Sequence, residues 1–215
     1  MKKRILSILL LCCMVLTMLP TTVLAADGPM DTIPKYDVSI DVYNRTSDIS
    51  IKDSRSYYIY SSVPDKLRDT WAWDKKIFIK GDKTAPHVFI DGVNIEMSPS
   101  SKGPAIELNK KASAYIYFIG KNSSLQGADG RAAIQKNRSE GQLYVLARTG
   151  TTVTCKGGDK AAGIGGSYAT RNISNGYYNG DMYGHGVNMH FGSRSNPDYW
   201  GGTIAAIGGN GGAGI

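Results

Sequence analysis

The residues with the clearest chemical potential lie in a glycine-rich stretch at about 167–200. Gly184-His185-Gly186 places an imidazole between two glycines, and the nearest acids are Asp181 and Asp198. Inverting glycoside hydrolysis needs two carboxylates, one acting as acid and one as base on opposite sides of the scissile bond. The sequence contains no Asp-Asp pair, and its two nearest acids are 17 positions apart. The residues therefore leave an enzymatic role uncertain and favour a non-catalytic one, with no catalytic residue assigned.

The same stretch combines aromatic rings with hydrogen-bonding groups. Aromatic faces cover the C–H side of a sugar ring, whereas amides and carboxylates bind its hydroxyls. The alternative is that these rings pack the loop onto the protein, because an excursion of this length needs its own small core. Both interpretations stay open, since each can hold for different rings. The candidate glycan contacts are Tyr177, Tyr178, Asp181, Tyr183, His185, Tyr199 and Trp200.

Repeats in the sequence predict the scaffold that positions these residues. Four short tracts recur at an offset of 28 residues, beginning at Ile49, Ile77, Ala105 and Ala133. A second column with the same offset begins at His87, Tyr115 and Leu143. Both columns are rich in β-branched and aromatic residues, are bounded by turn residues, and lack helical spacing. The sequence therefore predicts an all-β fold, a right-handed parallel β-helix with coils of about 28 residues.

Two further expectations follow from this alignment. A weaker third column pairs Ser123-Ser124-Leu125 with Thr151-Thr152-Val153, again at an offset of 28. In the first column the apolar residues Phe78, Ile106 and Ile134 are expected to point inward at equivalent positions.

The repeat changes after residue 150. The tract 152–164 matches the tract 203–215 at an offset of 51, which exceeds one coil by 23 residues. We expect a loop insertion at about 167–200 that carries its own short strand at 187–191, because insertions in solenoids map to loops on one face. An extra short coil is the alternative. Ile215 falls within the repeated motif, so we expect a fold truncated at its C-terminus and further domains of the same protein beyond it.

The N-terminus has the pattern of a secretory signal peptide. Met1-Lys2-Lys3-Arg4 precedes an apolar run, and Val23-Leu24-Ala25 supplies the small residues of a cleavage site. We expect a signal peptide over 1–25, an N-terminal cap with the first coil over 26–75, and the β-helix repeats over 76–215. No membrane association is expected after cleavage. The aromatic residues expected to form the cap are Tyr57, Tyr58, Tyr60, Trp71 and Trp73.

Charge and cysteine content restrict the function further. Loss of Lys2, Lys3 and Arg4 takes the formal net charge from +7 to +4, and the remaining cations are scattered, so nucleic acid is not an expected partner. Cys155 is predicted to be a small core residue, with a reactive thiol as the alternative.

No cofactor or metal is expected either. The aligned positions Asp91, Ile119 and Ala147 do not form an acid ladder for calcium. We interpret Asp129 and Asp159 as solvated turn residues rather than ligands.

Several tracts carry a family resemblance. Val88–Glu96, Gly103–Asn109, Ala161–Ser167 and Gly208–Ile215 resemble secreted proteins of Gram-positive bacteria with glycine-rich parallel β-helix repeats. The resemblance covers about 75–215 and implies the fold, a secreted or cell-surface location, and a carbohydrate-binding or pectate-lyase-like role. It transfers no catalytic motif. The Gly-His-Gly tract also resembles that of polygalacturonases, but the acidic and basic tracts that accompany it in those enzymes are absent.

Our first hypothesis is a secreted non-catalytic β-helix module that binds a polysaccharide or a surface glycan. The second is the N-terminal part of a polysaccharide lyase or glycoside hydrolase. The third is a structural stalk of a larger surface protein.

Overall fold

The computed structural model describes residues 34–101, 103–109, 111–136, 140–167, 186–192 and 199–215. These residues form fifteen short strands and two 3₁₀-helices, with no α-helix among them. Every strand pair recorded in this part of the chain is parallel, and successive coils stack into three sheets. The predicted all-β parallel β-helix is therefore confirmed.

The chain visits the three sheets in a repeating order. Sheet B contains β2 (Ile49–Ile51), β4 (Ile77–Lys80), β7 (Ile106–Asn109), β10 (Ile134–Lys136) and β13 (Ile164–Gly165). Sheet A contains β1 (Val38–Asp41), β3 (Ser56–Tyr60), β5 (His87–Asp91), β8 (Ala114–Ile119), β11 (Leu143–Ala147) and β14 (Met189–Phe191). Sheet C contains β6 (Asn94–Glu96), β9 (Ser123–Gln126), β12 (Thr152–Lys156) and β15 (Thr203–Ile207). The 3₁₀-helices span Asp65–Leu67 and Pro99–Ser101.

Aliphatic columns fill the interior of the coils. Ile77 of β4 pairs with Ile49 on one side and with Ile106 on the other, and all three are at most 2% exposed. Each such side chain contributes about 1.5–3 kcal/mol through burial. Because one face of every strand lies in this core, the inward alternation fixes the register between coils.

That alternation corrects two sequence expectations. Ile77 pairs with Ile106, an offset of 29 rather than 28, so Phe78 lies opposite Glu107 and not opposite Ile106. Ile77 and Ile79 are fully buried whereas Phe78 is half-buried, so the expectation that Phe78 points inward is wrong. The 3₁₀-helix Pro99–Ser101 lies in the corner between these coils, and corner length decides the offset.

The third column also differs from its predicted alignment. Ser123 pairs with Val153 rather than with Thr151, an offset of 30 residues. The offset of 51 is confirmed, because Thr152 pairs with Thr203 and the register continues along β12 and β15.

Strand β14 belongs to the solenoid and not to an inserted loop. Met189 pairs with Leu143 of β11, so residues 189–191 form the sheet A strand of the coil between β13 and β15. The expectation that this strand belongs to the loop is therefore wrong. The extra length lies between β13 and β14, where residues 168–185 are outside the described residues.

The glycine-rich corners hold successive coils in close contact. An ideal Cβ on Gly158 would lie 1.9 Å from the carbonyl oxygen of Ala128, and one on Gly209 would lie 1.8 Å from that of Gly158. The amide of Gly209 donates to Ala161 O at 2.9 Å, across the same approach. Only glycine permits backbones this close, which explains the Gly-Gly pairs of the repeat.

Other predicted features of the first coils and the core can now be placed. Tyr57, Tyr58 and Tyr60 lie on β3, a regular strand of sheet A with β1 beyond it, rather than in a separate cap. Trp71 is partly buried and packs edge-on against the Tyr43 ring. Trp73 is 3% exposed and donates from Nε1 to Arg45 O at 2.8 Å.

Cys155 is fully buried, as predicted, and burial raises the pKa of its thiol to about 12. In the described ranges no helix is long and apolar enough to cross a membrane.

Candidate functional site

A polar groove of about 610 Å³ lies on the outer face of sheet C. Its floor includes Asn94, Ser124 and Thr154, which are in register on three neighbouring strands and alternate with buried residues. Its wall is formed by residues 68–72. The size is within the usual range of about 300–1,000 Å³ for small-molecule sites.

The wall exists because the first coil departs from the repeat. Between β3 and β4 the chain forms no strand in sheet C except an isolated bridge from Trp73 to Ile95. The segment 61–72 leaves the sheet and includes the 3₁₀-helix Asp65–Leu67 instead. The face of β6 and β9 is thus bordered on one side by a raised segment.

Asparagine side chains fix the floor of the groove. Asn94 Oδ1 accepts the Ser124 amide at 3.1 Å, and Asn94 Nδ2 donates to Arg68 O at 2.9 Å. One coil further, Asn122 Oδ1 accepts the Thr152 amide at 2.8 Å. These bonds join floor and wall, so the groove is formed before any ligand arrives.

Two cations lie at one end of the groove. The Arg68 guanidinium donates to Gly92 O and Val63 O, each at 3.4 Å, and its side chain is 18% exposed. Lys121 Nζ lies 3.0 Å from Asp65 Oδ1, and Arg68 Nη2 lies 3.1 Å from the same oxygen. Hydrogen bonds from Lys121 and then Arg68 hold the pKa of Asp65 below its ordinary value.

The opposite end of the groove has the other charge. A smaller depression of about 140 Å³ shares Asp69, Asn94 and Ser124 with the main groove and is also lined by Glu96. Along the strands the groove therefore runs from an end with Arg68 and Lys121 to an end with Glu96.

Two of the predicted contact residues lie beside this groove. Trp200 packs on the outer face of sheet A, 5.1 Å from the Tyr117 ring, in a cluster that includes Ile119. Ile119 is followed directly by Gly120 and Lys121, which line the groove. The aromatic cluster and the cationic end of the groove thus meet at the corner between sheets A and C.

Tyr199 is held at the same corner. Its ring meets Trp200 edge-on at 4.5 Å, and the Arg148 guanidinium lies 5.6 Å from the Tyr199 centroid. The Thr149 amide donates to Tyr199 O at 2.8 Å. For Tyr199 and Trp200, packing onto the solenoid therefore holds.

A second aromatic feature, not predicted as a site, runs along sheet A. Rings at equivalent outward positions stack with centroid spacings of 4.4–4.7 Å and interplanar angles of 6–14°. Each ring covers the face of the next, so the edges and not the faces point outward. This arrangement stabilises coil stacking and offers little flat surface to a sugar. The four rings are His87, Tyr115, Tyr144 and His190.

The remaining predicted contacts, Tyr177, Tyr178, Asp181, Tyr183 and His185, lie outside the described residues, as does Asp198. The sequence analysis missed Arg68, Asn94, Lys121 and Ser124. A signal existed in the alternation of polar and buried residues along Asn94–Glu96 and Ser123–Gln126. No pattern indicated that the chain before Trp73 would form a wall.

The acids considered for metal binding also have definite positions. Asp91 accepts the Tyr58 hydroxyl at 2.9 Å and the Lys121 amide at 2.8 Å. It pairs with Ile119 as aligned, but Ala147 pairs with Phe118, so the third aligned position was wrong. Across the described part of the chain, no three His, Cys, Asp or Glu side chains are grouped to hold a metal ion.

Fold and site together define a parallel β-helix with a preformed polar groove across one sheet. Comparisons with protein-family models, with curated proteins and with solved structures gave no match.

Proposed function

We propose that this protein is a non-catalytic carbohydrate-binding module and that the groove on sheet C is its binding site. The observation that carries the proposal is the composition of the groove. Its floor presents amide and hydroxyl groups in register at the strand spacing of about 4.8 Å. Sugars are bound through such groups, which pair with their hydroxyls.

The aromatic corner supports the same site. Trp200 and Tyr199 are half-buried beside Gly120, where an extended glycan leaving the groove would meet an aromatic surface. Polar groups that hold hydroxyls next to a ring that packs against C–H bonds are the combination that sugar recognition needs. The preformed floor lowers the ordering cost of binding.

The test is a substitution that fills the groove without entering the core. Ser124 is exposed on the outward side of β9, so Ser124→Trp places an indole in the groove. The matched control is Ser50→Trp, at an exposed outward position of β2 in sheet B. We expect the parent chain and Ser50→Trp to bind the same glycans on an array and Ser124→Trp to lose at least tenfold in affinity.

Equal affinities of Ser124→Trp and Ser50→Trp would place binding elsewhere, and no binding by the parent chain would refute the proposal. Release of reducing ends or unsaturated products from a bound glycan would instead support a lyase or hydrolase.

A further inference from the structure

Three charged groups meet at the cationic end of the groove. Asp65 Oδ1 lies 3.0 Å from Lys121 Nζ and 3.1 Å from Arg68 Nη2. Arg68 Nε also donates to this oxygen at 3.3 Å. A single carboxylate oxygen therefore accepts from both cations that border the groove.

The two cations are positioned independently of that carboxylate. Arg68 is anchored by the carbonyls of Gly92 and Val63, and its backbone oxygen accepts from the side chain of Asn94. The corner that carries Lys121 is fixed by the bond from its amide to Asp91 Oδ1 at 2.8 Å. Asp65, in contrast, has a side chain that is 84% exposed on a short 3₁₀-helix. The cations are built into the fold, whereas the carboxylate reaches them from the surface.

We infer that Arg68 and Lys121 form a seat for the carboxylate of an acidic sugar unit and that Asp65 occupies this seat when no glycan is bound. The inference rests on the proposed function and adds the class of glycan and a competing residue. A guanidinium with two donors facing one carboxylate is the strongest charged pairing available to proteins. A carboxylated sugar at this end can donate its hydroxyls to Ser124 and Thr154 across the floor.

The charge distribution also sets the direction of the ligand. Glu96 lines the far end of the groove, and a like charge there disfavours a second sugar carboxylate. Asp69, which lines both parts, has the same effect between them. One acidic unit at the Arg68 end, followed by neutral or outward-facing units, fits this pattern.

The test compares a uronic-acid oligosaccharide with the same oligosaccharide after methyl esterification, which removes the charge and preserves the sugar. In Asp65→Asn, with the competing charge removed, we expect affinity for the acidic form to rise about two- to fivefold, as for an exposed ion pair. In Lys121→Gln we expect affinity for the acidic form to fall by about the same factor. The ester should bind all variants alike.

Matched controls use ion-paired residues away from the groove. Asp74→Asn removes an exposed carboxylate paired with Lys75, and Lys111→Gln removes an exposed ammonium that faces Glu140. Both change the net charge as the test variants do, and neither should alter the ratio of the two affinities.

The outcomes separate this inference from the proposed function. Equal binding of the acid and the ester, unchanged by Asp65→Asn, overturns the carboxylate seat and leaves glycan binding in place. Binding of only neutral glycans on the array has the same meaning. Absence of any glycan binding overturns both.

Discussion

Replacing Gly158 by alanine tests the explanation given for the glycine-rich corners. The new Cβ would lie 1.9 Å from Ala128 O and 2.3 Å from the Ala128 carbonyl carbon. Since a normal C···O contact is about 3.3 Å, the two corners would have to separate by roughly 1.4 Å. The obstacle is backbone, so no side-chain rotation relieves it. The bond from the Gly158 amide to Arg131 O, now 2.9 Å, would lengthen or break.

The expected cost combines these two effects. Overpacking costs about 1–3 kcal/mol and a lost backbone hydrogen bond about 0.5–1.5 kcal/mol, so we expect a loss of about 3 kcal/mol. For a protein of this size about 1 kcal/mol shifts Tm by about 2–4 °C, which gives a decrease of about 6–12 °C. Circular dichroism during urea and thermal unfolding measures both quantities.

Gly150 provides the matched control for this substitution. It has a φ of +84°, but an added Cβ would meet nothing within 4 Å. Gly150→Ala therefore costs only the left-handed conformation, about 1–2 kcal/mol. If Gly158→Ala were no more destabilising than Gly150→Ala, close backbone approach would not be the reason for glycine at the corners.

Three further predictions concern single side chains. Trp200→Ala should weaken glycan binding severalfold while the circular dichroism spectrum stays unchanged, because Trp200 packs on the outer face of sheet A and not in the core. In a chain that starts at residue 26, Cys155 should react with a thiol reagent only as fast as the fold opens, since it is fully buried and its pKa is raised to about 12. Burial lowers the pKa of Lys136 from 10.5, so the unfolded chain binds more protons and the free energy of unfolding should rise with pH up to about 10.5. Lys136→Met should remove this rise, which urea unfolding at several pH values would detect.

The sequence was sufficient to predict the three strand columns and their parallel stacking. Both depend on aliphatic residues such as Ile77 and Ile134, whose burial is required in every coil. The offsets were less accurate, because a corner can hold one or two extra residues without disturbing the core. Ile106 therefore replaced Ala105 as the partner of Ile77, and every side chain of that strand changed face relative to the alignment.

The groove was harder to predict because it depends on the outer surface. Inward positions are restricted by packing, whereas outward positions accept any residue that water can solvate. Asn94 and Ser124 look like ordinary strand residues until the segment 61–72 is placed beside them. That placement follows from the absence of a sheet C strand in the first coil, and only the isolated bridge between Trp73 and Ile95 marks it.

The two kinds of aromatic environment show where glycan contacts can form on such a fold. Strands in neighbouring coils are about 4.8 Å apart, which is close to the stacking distance of flat rings. Outward rings at equivalent strand positions therefore stack on one another, as Tyr115 does on Tyr144 at 4.5 Å, and their faces are lost to ligands. Rings in the corners are free of this register. Trp200 lies in such a corner, tilted by 40° to Tyr117, next to the residues that line the groove. On a parallel β-helix, a flat surface for a sugar ring is thus expected at the corners, and the polar groups that hold its hydroxyls are expected on the strands beside them.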